Sequence, residues 1–173
     1  MYLLSPLDNG PIDIIGDIHG ELEALEALLD RLGYQSNGWH PQKRRLVFIG
    51  DLVDRGPDSP GVIKRVRELV ENNNAQFIVG NHEVNLLVND IKDGSGWFFD
   101  ERFEPDNKNY APFARANESE RQSLHDFLSR QPVALYRQDI RIVHAAWNSN
   151  AINAISRVPV GSLVEKYFEC EEE

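Results

Sequence analysis

Three times along the chain, a short apolar run leads directly into glycine and then a side chain carrying oxygen. Ile12 to Ile15 leads into Gly16-Asp17, Leu46 to Ile49 into Gly50-Asp51, and Phe77 to Val79 into Gly80-Asn81. Each run has the length and the β-branched or aromatic character of a buried strand, and a helical pattern follows each. In ELEALEALLDRLG, Leu22, Leu25, Leu28, Leu29 and Leu32 fall on one helical face, and Gly33 marks the stop. SPGVIKRVRELVEN offers Ser59 as N-cap with Pro60 in the first turn, and HEVNLLVNDI is a shorter helical candidate. This alternation predicts an α/β fold whose neighbouring strands are largely parallel. The three strand C-termini then lie side by side, and Asp17, Asp51 and Asn81 meet in the crevice where open α/β sheets bind ligands.

The second half of the chain has a different character. Residues 92 to 116 carry Trp97, Phe98, Phe99, Phe103, Tyr110 and Phe113 without either period, and read as an irregular insertion. Such a segment is either a lid that stacks on a substrate group or a loop with its own small core. Asn117 followed by Glu120 predicts a capped helix over NESERQSLHDFLSRQ. VALYRQDIRIVHAAW reads as a hairpin, Val133 to Arg137 and Ile140 to His144, and EKYFECEEE as an acidic, frayed end. No linker divides the chain, so residues 1 to 173 are expected to form one domain.

Charge narrows the partners. With 28 acidic against 18 basic residues the formal charge is -10, which argues against a nucleic-acid partner. The single cysteine, Cys170, excludes an internal disulfide and suits a reducing compartment. The start MYLLSPLDNG does not read as a signal peptide, and no long apolar stretch suggests a membrane partner, so a cytoplasmic location is expected. Converging carboxylates repel one another unless a cation lies among them. Asp17-Ile18-His19, read as extended chain, turns two ligands the same way. Carboxylate, imidazole and amide donors without thiolate suit Mn, Fe or Zn.

The same residues carry a family resemblance. GDIHG at 16–20, GDLVDRG at 50–56 and GNHE at 80–83 resemble the phosphoprotein phosphatase branch of the calcineurin-like metallophosphoesterases, and IVHAA at 142–146 resembles the segment bearing that family's next metal ligand. The resemblance implies two divalent ions, manganese first with Fe, Zn or Mg as alternatives. Asp17 and His19 would hold one, Asp51 would bridge both, and Asn81 with His144 would hold the other. It further implies that a water between the metals attacks phosphorus directly, that His82 protonates the leaving group, that Asp54 orients His82, and that Arg55 grips the phosphate. The substrate would be a phosphorylated protein, as for serine/threonine protein phosphatases, or a small phosphoester or nucleotide such as a dinucleoside tetraphosphate.

Without the resemblance the residues read more plainly. Asp54-Arg55 would be a surface ion pair and His144 a core histidine, while His40 and His125 have no ligand context and read as solvated or packing residues. Other nucleotide-binding modules are disfavoured, since neither G-x-G-x-x-G nor G-x-x-x-x-G-K-[ST] occurs. The family fold is a four-layer α-β-β-α sandwich whose pattern closes on a Gly-His strand. Nothing after His144 is histidine, so the expectation is a copy lacking C-terminal strands, with a weak second metal site and weak activity, or a binding module that keeps the fold alone.

Overall fold

A computed structural model describes residues 1 to 171. It contains strands β1 (Leu4–Pro6), β2 (Ile12–Ile15), β3 (Arg45–Phe48), β4 (Ala75–Phe77), β5 (Ala134–Arg137) and β6 (Ile140–Val143). The helices are α1 (Leu22–Leu32), α2 (Ser59–Glu71), α3 (Asn81–Leu87), α4 (Asp100–Tyr110), α5 (Glu118–Leu128), α6 (Ser149–Ile155) and α7 (Leu163–Glu171). The strands form two sheets, β2-β3-β4 and β1-β5-β6. The first is wholly parallel, with Ile14 opposite Val47 and Phe48 opposite Phe77. In the second, β1 runs parallel to β5, and β5 and β6 form the expected antiparallel hairpin.

The layers follow from side-chain alternation on the central strand. Leu46 and Phe48 point into a core shared with α1, α2 and α5. Val47 points the other way, into a smaller core with Ile78, Leu135 and Ile142 that joins the two sheets. Because β3 is covered on both faces, its side chains carry much of the stability, and Phe48→Ala would cost about 3–5 kcal/mol. Beyond the second sheet, α6 leaves a shallow groove lined by Leu4, Tyr136, Arg141 and Ile152. At the strands' N-terminal ends Arg44 pairs with Asp13 and Arg45 with Asp8, so this basic run faces away from the strand C-termini.

The structure departs from the sequence reading in six places. Segment 92–116 is not irregular throughout, since α4 lies inside it. Of its aromatics, Trp97 and Phe98 are buried in the main core, Phe99 and Phe113 pack against it, and Phe103 meets Phe113 edge-on. The cap of α2 is Asp58, whose carboxylate accepts from Gly61 N at 2.8 Å, and Ser59 is the first helical residue. The third strand lies earlier than Phe77 to Val79, β1 was not anticipated, and the acidic tail is helical as far as Glu171. On α1 only Leu25 and Leu29 are buried, because the helix sits beside edge strand β2, where Ile15, Ile18, Leu25 and Leu28 line an open groove.

Candidate functional site

The loops leaving β2, β3 and β4 converge as predicted, but not by extending the strands. Strand β2 ends at Ile15, and the chain turns so that His19 takes a left-handed φ of 46°. The amides of Ile18 and His19 both donate to the Asp51 carbonyl, at 2.9 and 3.0 Å. The Asp17/His19 placement thus comes from a turn anchored on the neighbouring loop, not from strand alternation. Gly50, with φ of 99°, lies so close to Gly80 N and His144 Nδ1 that a Cβ there would overlap both.

One buried carboxylate ties the second and third loops together. Glu83 is fully buried and accepts from Gly80 N at 2.7 Å, Asp51 N at 2.9 Å and Leu52 N at 2.8 Å. Burial pushes its carboxyl up to about 7 even though these three donors pull the other way. Sequence reasoning gave Glu83 no role. Its place inside GNHE was the available signal, since a glutamate at the third position of a helix commonly reaches back to free N–H groups.

The histidines are oriented by groups that fix their tautomers. His19 Nδ1 lies 2.8 Å from the Val53 carbonyl and His144 Nδ1 lies 2.6 Å from the Ile49 carbonyl. A carbonyl only accepts, so both Nδ1 atoms carry hydrogen and both Nε2 atoms face the site. His144 Nε2 lies 3.1 Å from Asn81 Oδ1 and 3.4 Å from Asp51 Oδ2. Such a convergence of lone pairs would be satisfied by a cation among them.

Among the described residues, two groups of potential ligands have atoms within 4.8 Å of one another: Asp17, Asp51 and His144, and His19, Asp51 and His82. Asp51 belongs to both, as a bridging ligand would. Around Asp51, Asp17 stands with His144, and His82 with His19. Asp17 is exposed and His19 half-buried. The donor set, carboxylate and imidazole with the Asn81 amide alongside, fits a borderline or hard divalent cation.

Beside these groups, Asp54 is fully buried, so it is not half of a surface pair with the exposed Arg55. Its Oδ2 lies 2.6 Å from His82 Nδ1, and its Oδ1 accepts from Trp97 Nε1 at 2.6 Å. The hydrogen bond to Asp54 raises the His82 imidazole above its ordinary value against the opposing effect of burial. His82 Nε2 points toward Asp51 Oδ2, 4.0 Å away, and Arg55 Nη1 lies 3.3 Å from His19 Nε2. All eight residues singled out from the motifs therefore lie in or beside one cluster. His40 is a packing residue, buried against Tyr34 with Nε2 at 3.0 Å from the Leu32 carbonyl.

Comparison with known proteins decides the family. The family model described as calcineurin-like phosphoesterase matches residues 10–166. The chain belongs to the calcineurin-like phosphoesterase family. Over 74 residues it is 58% identical to the asymmetrical bis(5'-nucleosyl)-tetraphosphatase PrpE of Oceanobacillus iheyensis, a match covering 41% of this chain and 30% of that relative. Among solved structures, a provisionally assigned diadenosine tetraphosphatase matches with a TM-score of 0.54 and 25% identity, covering 84% of this chain and 55% of the other. A cold-active protein-tyrosine phosphatase of a psychrophilic Shewanella superposes with a TM-score of 0.60 at 17% identity over 87% of this chain and 47% of its own, a likeness of fold. The matches thus span between about a third and about half of these relatives' lengths. Among the described residues no helix is long and apolar enough to cross a membrane.

Proposed function

We propose that the chain is a metal-dependent phosphoesterase that hydrolyses phosphomonoesters by direct attack of water, in the manner of serine/threonine protein phosphatases, and works in the cytoplasm. The observation that carries this reading is the pairing of His82 with a buried Asp54 at 2.6 Å, directly beside the ligand cluster on Asp51. Asp51 would stand between two divalent ions, with Asp17, His19, Asn81 and His144 supplying the other ligands, the ion on Asn81 and His144 the weaker one and manganese the first cation to test. Divalent ions bound there would acidify an attacking water and neutralise phosphoryl oxygens.

The chain's own groups supply the rest. The guanidinium of Arg55, exposed beside His19, offers a planar fork for phosphate oxygens. His82, with Nδ1 bonded to Asp54, presents Nε2 to the leaving oxygen and donates its proton there. Asp54 orients the ring and stabilises its charged form.

A second reading, hydrolysis of dinucleoside tetraphosphates, is favoured by the 58% identity to a relative of that name across 74 residues. The protein supplied with Mn²⁺ and assayed on a phosphoserine peptide, 4-nitrophenyl phosphate and diadenosine tetraphosphate separates the two. Turnover of the peptide and the aryl ester is expected, and preferential turnover of the dinucleotide would transfer the assignment. His82→Ala should slow alkyl phosphates on the order of 10²–10⁴-fold and the aryl ester far less. Absence of both Mn²⁺ binding and hydrolysis would overturn both readings.

A further inference from the structure

Resting on that reading, we infer that Trp97 is a positioning residue of the Asp54–His82 pair, and that the segment carrying it sets the geometry of proton donation. The segment docks on the loop after β3 at two adjacent residues. Arg55 N donates to the Gly94 carbonyl at 3.2 Å, and Trp97 Nε1 donates to Asp54 Oδ1 at 2.6 Å. Asp54 and Arg55 are the two consecutive non-glycine residues held at left-handed φ values, 72° and 70°, a conformation that persists only where the surroundings impose it. Gly94, itself at φ of 87°, is what lets the segment come this near: a Cβ there would stand 2.8 Å from Arg55 Cγ and 2.9 Å from Arg55 N.

The segment is itself anchored. Gly96 N donates to Asp106 Oδ2 at 2.7 Å, Asp106 is buried on α4 and paired with Arg102 at 2.6 Å, and Ala116 N donates to the Trp97 carbonyl at 3.0 Å. The indole is only 2% exposed and packs edge-on against Phe98. An indole N–H can donate and do nothing else, and it does not titrate in the working range. Fixed on Oδ1, it leaves Oδ2 as the atom that meets His82 Nδ1, so the carboxylate cannot rotate away from the imidazole. Without it, a buried anion would lose one of its two side-chain donors and the pair would be free to reorient.

Trp97→Phe keeps the aromatic packing and removes only the donor. Outer partners that orient a working histidine typically contribute 10–100-fold, so kcat on an alkyl phosphate should fall at least about 10-fold with KM and Mn²⁺ affinity little changed. The loss on 4-nitrophenyl phosphate should be smaller, as for His82→Ala. In an Asp54→Ala background Trp97→Phe should add almost nothing, whereas a residue that serves packing alone would cost the same in both backgrounds.

A second readout does not depend on turnover. In ¹⁵N-labelled protein the Trp97 indole N–H should be protected from solvent exchange and should shift on Asp54→Asn, and the His82 Nδ1–H signal should broaden or vanish in Trp97→Phe. If His82→Ala shows the leaving-group effect and Trp97→Phe does not, the inference is overturned while the assignment of His82 stands. If His82→Ala shows none, the catalytic reading fails, and the positioning claim stands or falls on the His82 Nδ1–H signal alone. An unshifted indole N–H in Asp54→Asn overturns the claim even if Trp97→Phe fails to fold.

Discussion

The loop after β3 and the loop after β2 carry motifs of similar composition in opposite environments. Residues 50 to 54 are all buried, and their polar groups are held by Glu83, Ser59, His82 and Trp97. In the loop after β2, Gly16 and Asp17 are exposed, and its amides rest on the Asp51 carbonyl. Sheet position explains the contrast, because β3 is central and β2 is an edge. A loop buried on all sides can hold a side chain at a fixed angle, which a bridging ligand and the orienting partner of a general acid require. An edge loop can offer a ligand but borrows its shape from its neighbour.

The sharpest test of that contrast is Glu83→Ala, which strips the acceptor from three backbone N–H groups of the buried loops. Orphaned buried donors cost about 1–3 kcal/mol each before relaxation, so unfolding stability should fall by about 3 kcal/mol or more, measured by chemical denaturation without metal. Asp17→Asn should do the opposite on the exposed loop. Calorimetry should show Mn²⁺ affinity down about 10-fold or more, while metal-free stability stays within about 0.5 kcal/mol of the parent. Should Asp17→Asn destabilise the metal-free protein as Glu83→Ala does, the contrast between edge and centre is wrong.

The smallest effect belongs to the far end of the edge strand. Asp13 on β2 accepts from Arg44 Nε and from Tyr34 Oη, each at 2.7 Å. The Arg44 guanidinium holds its carboxyl below the usual carboxylate range. A lowered folded-state pKa stabilises the fold at pH above the unfolded value, and this stabilisation is lost as pH falls through the folded value. Asp13→Asn should therefore cost about 1 kcal/mol near neutrality, and the gap to the parent should narrow below about pH 3.9. Urea midpoints across that range, with Mn²⁺ affinity as an unchanged control, check it. A gap that widens in acid would reverse the sign and sink the ion-pair account.

What the sequence made legible was local. The three strand-end motifs, the hairpin and the Asn117–Glu120 cap are each set within a few residues, and the structure shows all of them. What it hid was reached across the chain. Trp97 finds Asp54 from 43 positions away, and no periodicity marks that contact. The signal was chemical: a tryptophan in a core needs a partner for its N–H. Helix α4 escaped because it buries only Asp106 and contains Pro105, so the apolar stripe that announces a helix is missing. Strand β1 escaped because three residues ending in proline carry too little pattern. The D-x-H spacing brought Asp17 and His19 to the site for the wrong reason, since a turn anchored on Asp51, and not an extended strand, places His19.

The two histidine tethers have a kinetic consequence. His19 and His144 come from opposite ends of the chain, yet both rest their Nδ1 on carbonyls immediately after β3, at Val53 and Ile49. An ion held at either outer nitrogen would be fastened through that ring to the main chain that follows the central strand. Its escape would then require a main-chain fluctuation rather than a side-chain flip, so residence time should track local unfolding of residues 49 to 53. Amide hydrogen exchange in that stretch should slow when Mn²⁺ is added and speed up again with a chelator.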